Sequence, residues 1–226
     1  MKSNTFKILI LMFLSAFSFS SCSSDSAGES IGTTTGNYFP MAIGNKWQYT
    51  NGSNATEVKL IGTTTFEGNP YYEITDSNTQ INAQVWMTKR GASYYQKVSA
   101  TTQTQGSTSI TIEGFEIKLL KDNLAVGETW NGSANPKVTY SGGSTNLAIT
   151  YTGNIIAKDV SVTLNGITYN NVIKMGLNIK EIINSQTTTI SGENWFAKDI
   201  GLIYDSTKTS SDNITKTRYL TSYELH

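Results

Sequence analysis

The sequence predicts an all-β fold: an antiparallel, curved sheet or incomplete barrel or sandwich, built from two similar halves and preceded by a signal peptide. Three observations predict it. Apolar residues past Tyr38 alternate, as in Ile173, Met175, Leu177 and Ile179, or Leu147, Ile149 and Tyr151, which is the period of a half-buried strand. Segments rich in Thr, Tyr, Val and Ile are separated by Ser, Asn, Gly and Thr, and none past residue 22 carries a persuasive helical stripe. A short phrase also recurs. AIGNKW, Ala42 to Trp47, returns as AVGETW, Ala125 to Trp130.

The first residues are of a different kind. Lys2 and Lys7 form a short positive region, and Ile8 to Ser20 is an uncharged apolar run too short for a spanning helix, which needs about 20 apolar residues. Small residues then lead into Cys22, the single Cys of the chain. This pattern resembles the lipobox of bacterial lipoproteins. The resemblance implies cleavage before Cys22 and a lipid on that residue, with Phe19 standing where Leu is usual. The bland alternative is an ordinary secretory signal with an incidental Cys; the position of the lone Cys favours the anchor. A lone Cys also excludes an intramolecular disulfide framework. The expected organisation is a signal peptide over 1–21, a tether over 22–37 and a single β body over 38–226, with halves of about 38–120 and 121–226.

Residues 23–37, SSDSAGESIGTTTGN, are too polar to bury a core and read as a flexible tether. Asp25 and Glu29 faintly resemble acidic tether signals of Bacteroidota surface lipoproteins. Asp25-Ser26-Ala27 and Asp205-Ser206-Thr207 resemble the O-glycosylation triplet of that phylum. Removing Lys2 and Lys7 from 17 basic and 17 acidic residues leaves a formal charge of −2, with Arg90 and Arg218 the only arginines. Such a surface offers no basic patch to nucleic acid.

Within the body, VSVTLNGITY places Asn165-Gly166 between two alternating runs, which predicts a two-residue type I′ hairpin. The register would set Leu164 opposite Ile167, Thr163 opposite Thr168 and Val162 opposite Tyr169. In the run Ile110, Ile112, Phe115, Ile117, Leu119 the alternation changes phase at Glu113-Gly114, which predicts a bulge in one bending strand.

The repeated phrase extends. TFEGNPYYEI (65–74) is answered by TLNGITYNNVI (163–173), and WMTKRGASYY (86–95) by WFAKDIGLIY (195–204). Gly44 and Gly127 would make turns ahead of strands, Gly201 another, and Trp47, Trp86, Trp130 and Trp195 would be packing anchors. The competing reading is a tryptophan platform for a sugar. Together YFPMAIGNKWQY, NLAVGETW, NWFAKDIGLIY and RYLTSYEL resemble the TapB-like lipoproteins of Bacteroidota over about residues 38 to 225. That resemblance implies a secreted, lipid-anchored β protein of undefined molecular role and carries over no catalytic residue. Asp199 stands where the family often has Gly, a change expected to stiffen the turn.

Chemistry is sparse. His226, the only His, stands at the last position of the sequence, so a triad would depend on a fraying residue. Glu113 with Glu116, and Glu193 beside Trp195, are the carboxylates a glycosidase would need. Asp122, Asp159 and Asp212 could serve a calcium site, without a DxDxDG-type loop. The expectation is a non-enzymatic monomer with no cofactor and no metal, held at the outer membrane by the lipid on Cys22 and contacting a protein or glycan. A carrier of lipid or another apolar ligand in a β cavity is the alternative.

Overall fold

A computed structural model describes residues 32–77, 83–105 and 108–226. Cys22, expected to carry the lipid, the expected signal peptide and the triplet at Asp25 lie outside these residues. The chain runs as β1 (Lys46–Thr50), β2 (Ala55–Phe66), β3 (Asn69–Asp76), β4 (Val85–Arg90), β5 (Ser93–Val98), β6 (Thr101–Gln105), β7 (Thr108–Ile112) and β8 (Phe115–Lys121). It continues as β9 (Thr129–Ala134), β10 (Lys137–Tyr140), β11 (Gly143–Asn146), β12 (Ala148–Leu164), β13 (Ile167–Ile183), β14 (Gln186–Ala197), β15 (Gly201–Thr209) and β16 (Thr215–Glu224). The fold is all-β and antiparallel. Twelve strands form one rolled, nearly closed sheet in the order β8-β5-β4-β3-β2-β1-β16-β15-β14-β13-β12-β9. The hairpins β6–β7 and β10–β11 leave that sheet and join each other through β7 and β10 in a second, four-stranded sheet.

The sheet order is two six-stranded meanders laid end to end. β1 to β5 and β8 make one; β9 and β12 to β16 make the other. They meet where β1 pairs with β16, Lys46 opposite Glu224 and Trp47 opposite Tyr223. The repeated phrases occupy like surroundings. Gly44 donates its N–H to Leu60 O at 2.8 Å, and Gly127 donates to Ile155 O at 2.8 Å. Asn45 N–H closes a turn onto Ala42 O at 3.2 Å, and Glu128 N–H closes one onto Ala125 O at 3.1 Å. Gly44 and Gly127 have φ of 97° and 86°, where a side chain would be strained. Beyond each accepting carbonyl the neighbouring strand shifts register, after Leu60 in β2 and after Ile155 in β12. The next turns also match: Glu67-Gly68 has φ of 49° and 79°, and Asn165-Gly166 has 51° and 80°.

Alternation puts the apolar side chains inside the roll. Ile149, Tyr151, Gly153 and Ile155 are buried along β12 while Ala148, Thr150 and Thr152 are exposed. Trp47, Tyr38, Tyr49, Tyr94, Ile173 and Met175 are among the largest fully buried side chains. The hairpin register at Asn165-Gly166 is the one expected, Leu164 opposite Ile167 and Val162 opposite Tyr169, with Thr163 and Thr168 hydroxyls 3.0 Å apart on the other face. Polar contacts also cross the body: Arg218 on β16 donates to Asp205 on β15 and, at 3.0 Å, to Asp76 on β3. Asp205 is thus held by its own barrel, and Ser206 beside it is paired with Glu193 and Thr217 within the sheet.

Two sequence expectations need correction. Glu113-Gly114 is not a bulge in one strand. β7 ends at Ile112 in the small sheet and β8 begins at Phe115 in the large one. The phase change marks a change of sheet, and a Cβ at Gly114 would come within 2.8 Å of Val98 O, so the crossing backbone needs glycine. Nor is the polar segment loose up to residue 37. Asp122 is wholly buried and accepts from Thr34 Oγ1 at 2.5 Å and Thr35 N–H at 2.9 Å; Lys89 Nζ donates to Gly36 O at 2.6 Å. Asp199 N–H reaches Asn37 O at 2.6 Å from the other half. Short polar side chains here act as backbone partners rather than as solvated spacers.

Replacing Asp122 with Ala strips both acceptors from Thr34 and Thr35. We expect a loss of about 1–3 kcal/mol in urea unfolding, since two hydrogen bonds to a buried carboxylate and its ion pair with Lys89 are lost. Limited proteolysis should then cut the chain ahead of Tyr38 first.

Candidate binding site at the open seam

The sheet rolls until β8 and β9 face each other, but the two strands share no backbone ladder. Side chains take its place. Trp130 on β9 donates its indole N–H to Lys118 O on β8 at 3.1 Å, and Lys118 N–H donates to Tyr151 Oη on β12 at 3.0 Å. Both aromatic rings need room on their own sheet, and glycines supply it. Trp130 is paired with Gly153, and Tyr151 with Gly132. A Cβ on Gly153 would lie 2.2 Å from the Trp130 ring, and one on Gly132 2.1 Å from Tyr151. Each ring covers the glycine opposite, the arrangement known as aromatic rescue.

Past this bridge the seam opens. A cleft of about 580 Å³ is lined by Glu113 and Gly114 ahead of β8, by Ser133, Ala134, Asn135 and Pro136 at the end of β9, and by Ala148, Ile149 and Thr150 of β12; beyond it Glu113 N–H bonds Lys137 O at 3.0 Å. That volume is within the range of ligand sites, about 300–1,000 Å³. Antiparallel alternation tells which main-chain groups face it. Ile155 N–H donates to Glu128 O at 3.0 Å, so Trp130, Gly132 and Ala134 exchange bonds with β12. Asn131 and Ser133 then turn their N–H and C=O toward the seam. On the far side Lys118 faces the seam, and Glu116, two residues away, points the same way.

The sequence candidates are distributed as follows. Trp47 is inside, its indole N–H donated to Ile200 O at 2.7 Å, with Phe39 stacked on it at 5.0 Å; Gly201 adjoins the same indole. Trp130 is inside at the seam. Trp86 is buried but belongs to a second cluster on the opposite face, edge-on to Phe66 at 5.2 Å, and its indole N–H has no partner. Trp195 is only half-buried, on the face away from Asn194 and Phe196. Lys174 Nζ sits 3.6 Å from the centroid of its ring, Tyr204 lies 4.5 Å away, and its N–H goes to Glu193 at 2.5 Å. The four tryptophans therefore form no common platform. Two fill the interior and two lie outside it.

The acidic candidates are not brought together as a catalytic pair. Glu116 accepts from Tyr71 Oη and from Arg90, whose guanidinium lies over Tyr95 at 3.7 Å. Burial and the adjoining Glu116 carboxylate push the Tyr71 phenol well above its ordinary range. Glu113 accepts Lys137 N–H at 3.0 Å, and Glu193 serves Trp195. Among the described residues no group of three His, Cys, Asp or Glu side chains could hold a metal ion, so Asp122, Asp159 and Asp212 do not converge. His226 is not the loose end expected: its N–H donates to the buried Asn45 Oδ1 at 2.8 Å, and its ring lies 3.4 Å from Glu224. Asp199 has φ of 61°, a conformation that favours glycine. Sequence reasoning missed the seam, whose only sequence signal was glycine placed two residues from an aromatic, in Trp130-x-Gly132 and Tyr151-x-Gly153.

The geometry defines a class: an all-β body, one rolled twelve-stranded sheet open along a side-chain-bridged seam. No protein-family model matches the chain, and no curated protein matches it by sequence. Two solved structures are similar in shape. One is a candidate lipoprotein from Parabacteroides distasonis, 14% identical, with a TM-score of 0.49 over 83% of this chain and 98% of that one. The other is a candidate exported protein with a YmcC-like fold from Bacteroides fragilis, 10% identical, with a TM-score of 0.47 over 82% and 98%.

Trp130→Phe keeps an aromatic ring but removes the pyrrole and its N–H bond to Lys118 O, so the lost bond and the small void together should cost about 1–3 kcal/mol in chemical denaturation. Gly153→Ala drives a methyl into the same ring and should cost about as much by overpacking. Because both act on one contact, the double variant should lose less than the sum of the two.

Proposed function

We propose that this chain is a lipid-anchored envelope lipoprotein, held at the outer membrane through Cys22, whose β body is a non-catalytic interaction module for a protein or glycan. The observation that carries the reading is the seam: main-chain groups and a cleft lie open where the rest of the rolled sheet is paired. The location rests on the positive, apolar and small-residue segments ahead of Cys22, and the anchor on covalent acyl chains, each buried CH2 adding about 0.8 kcal/mol. The absence of catalysis is supported by the engagement of Glu113, Glu116 and Glu193 in structural bonds. Matching turns, register shifts and strand order support an origin of the body by internal duplication, and its tie to the TapB-like lipoproteins rests on the ordered motifs alone.

The carrier alternative asks for an unfilled interior. Trp47, Tyr49, Leu60, Ile155 and Met175 occupy that interior, and the cleft lies beside it, so the interaction reading is preferred.

The mature protein should start at Cys22 and carry acyl mass by intact mass spectrometry, and Cys22→Ala should move it from the membrane pellet to the soluble fraction. An unacylated mature chain would reject the anchor. Turnover of a glycoside, ester or peptide substrate, lost with one carboxylate substitution, would reject the non-catalytic role.

A further inference from the structure

We infer that the end of the roll carrying Gly44 and Gly127 docks on the lipid surface that holds the anchor, through aliphatic side chains at matched positions of the two halves. The inference rests on the anchor reading and adds how the body stands on the membrane. β1 and β9 lie six pairings apart in a sheet whose neighbours are all antiparallel, so both run the same way and both repeated turns lie at one end. Each turn displays a branched aliphatic residue: Ile43 is 56% exposed and Val126 60%. Each also has a second beside it. Gly44 N–H bonds Leu60 O, with Ile61 next along β2 and 46% exposed; Gly127 N–H bonds Ile155 O, with Ile156 next along β12 and 42% exposed. Single exposed apolar residues are ordinary on a surface, but four at equivalent places on one end mark a contact.

The path of the chain says what covers them. Thr34 and Thr35 are held by Asp122, and a Cβ on Gly32 would lie 2.3 Å from Asn123 Nδ2, so the chain reaches the body three residues from Val126. Residues 34–45 then cross the same end, bonding Lys89, Tyr94 and Asp199 before Gly44. Only ten residues, Cys22 to Ile31, separate that point from the lipid, a span of at most about 33–36 Å. Tethering makes docking intramolecular, at an effective concentration on the order of millimolar, so contacts too weak to recruit a free protein suffice to orient this one. The turns are also fit to enter the headgroup region. The amides of Gly44, Asn45, Ala125, Gly127 and Glu128 all donate within the body, so none of them is left bare in an apolar phase.

The test uses the mature acylated protein in vesicles of phosphatidylethanolamine and phosphatidylglycerol. Acylation blocks Cys22, so Val126→Cys supplies one free thiol for an environment-sensitive fluorophore. Ser53→Cys, exposed in the turn between β1 and β2 at the far end, supplies the control. Apolar faces at an interface sit about 5–10 Å into the headgroup and acyl boundary, so spin-labelled lipid should quench the Val126 label at least about twofold more than the Ser53 label. Raised salt should leave that difference intact, because the contact is apolar. Adding Ile43→Asp, an exposed change in the other half, should reduce it while acyl mass and membrane pelleting stay as they were. Equal quenching of the two labels in an acylated, pelleting chain would reject the docked orientation alone. Burial of the Val126 label in the Cys22→Ala body in solution, with a doubled mass by light scattering, would assign this end to a second copy and also overturn it. An unacylated chain would reject the anchor and the docking with it.

Discussion

The body is held together by an exchange of tryptophan hydrogen bonds between its halves. Trp47, at the start of the first meander, gives its indole N–H to Ile200 O in the second; Trp130, at the start of the second, gives its indole N–H to Lys118 O in the first. Tyrosines repeat the pattern, with Tyr49 Oη donating to Leu202 O at 2.9 Å and Tyr151 Oη accepting from Lys118 N–H. A buried indole keeps its full hydrophobic gain when its N–H is satisfied, because an unpaired buried donor costs about 1–3 kcal/mol, comparable to the gain itself. Meeting that requirement with a carbonyl of the opposite half makes each half the lining of the other.

The two contacts close the roll in unlike ways. Where β1 meets β16 a backbone ladder does the joining and the aromatic bonds add to it. Where β8 meets β9 the ladder is absent, and one tryptophan and one tyrosine span the gap. The side-chain bridge joins the strands at one level, and the Glu113 N–H bond to Lys137 O joins the two sides again where they pass into the small sheet. The cleft beside Glu113 and Ser133 is the consequence. The small sheet forms there as well, because β6–β7 and β10–β11 leave the main sheet at this end and pair with each other.

Burial sets the electrostatics of the interior. Desolvation pushes the Tyr49 and Tyr94 phenols far above their ordinary range, so both stay neutral donors: Tyr49 to Leu202 O and Tyr94 to Gly36 O. Asp205 is raised by burial against the opposing pull of Arg218, and the guanidinium is shared with Asp76 from the facing wall. Charges enter this interior only in partnership.

Much of the fold was legible from side-chain order. Period-two runs such as Leu147 to Tyr151 and Ile173 to Ile179 specify strands, and Asn165-Gly166 specifies a hairpin and its register, because the period and the turn are local properties of the chain. The matched phrases at Gly44 and Gly127 marked equivalent turns for the same reason. What the tertiary structure alone decided depends on partners far along the chain. The phase change at Glu113-Gly114 reads equally as a bulge or as a change of sheet until the position of Val98 is known. Thr34 and Thr35 read as tether until Asp122, nearly ninety residues later, is folded against them. Trp86 and Trp195 look like Trp47 and Trp130 in sequence, yet which face of a rolled sheet becomes the inside is set by closure. The seam itself has no local signature beyond two aromatic–glycine pairs, because a gap between strands is a property of how the sheet closes and not of any one strand.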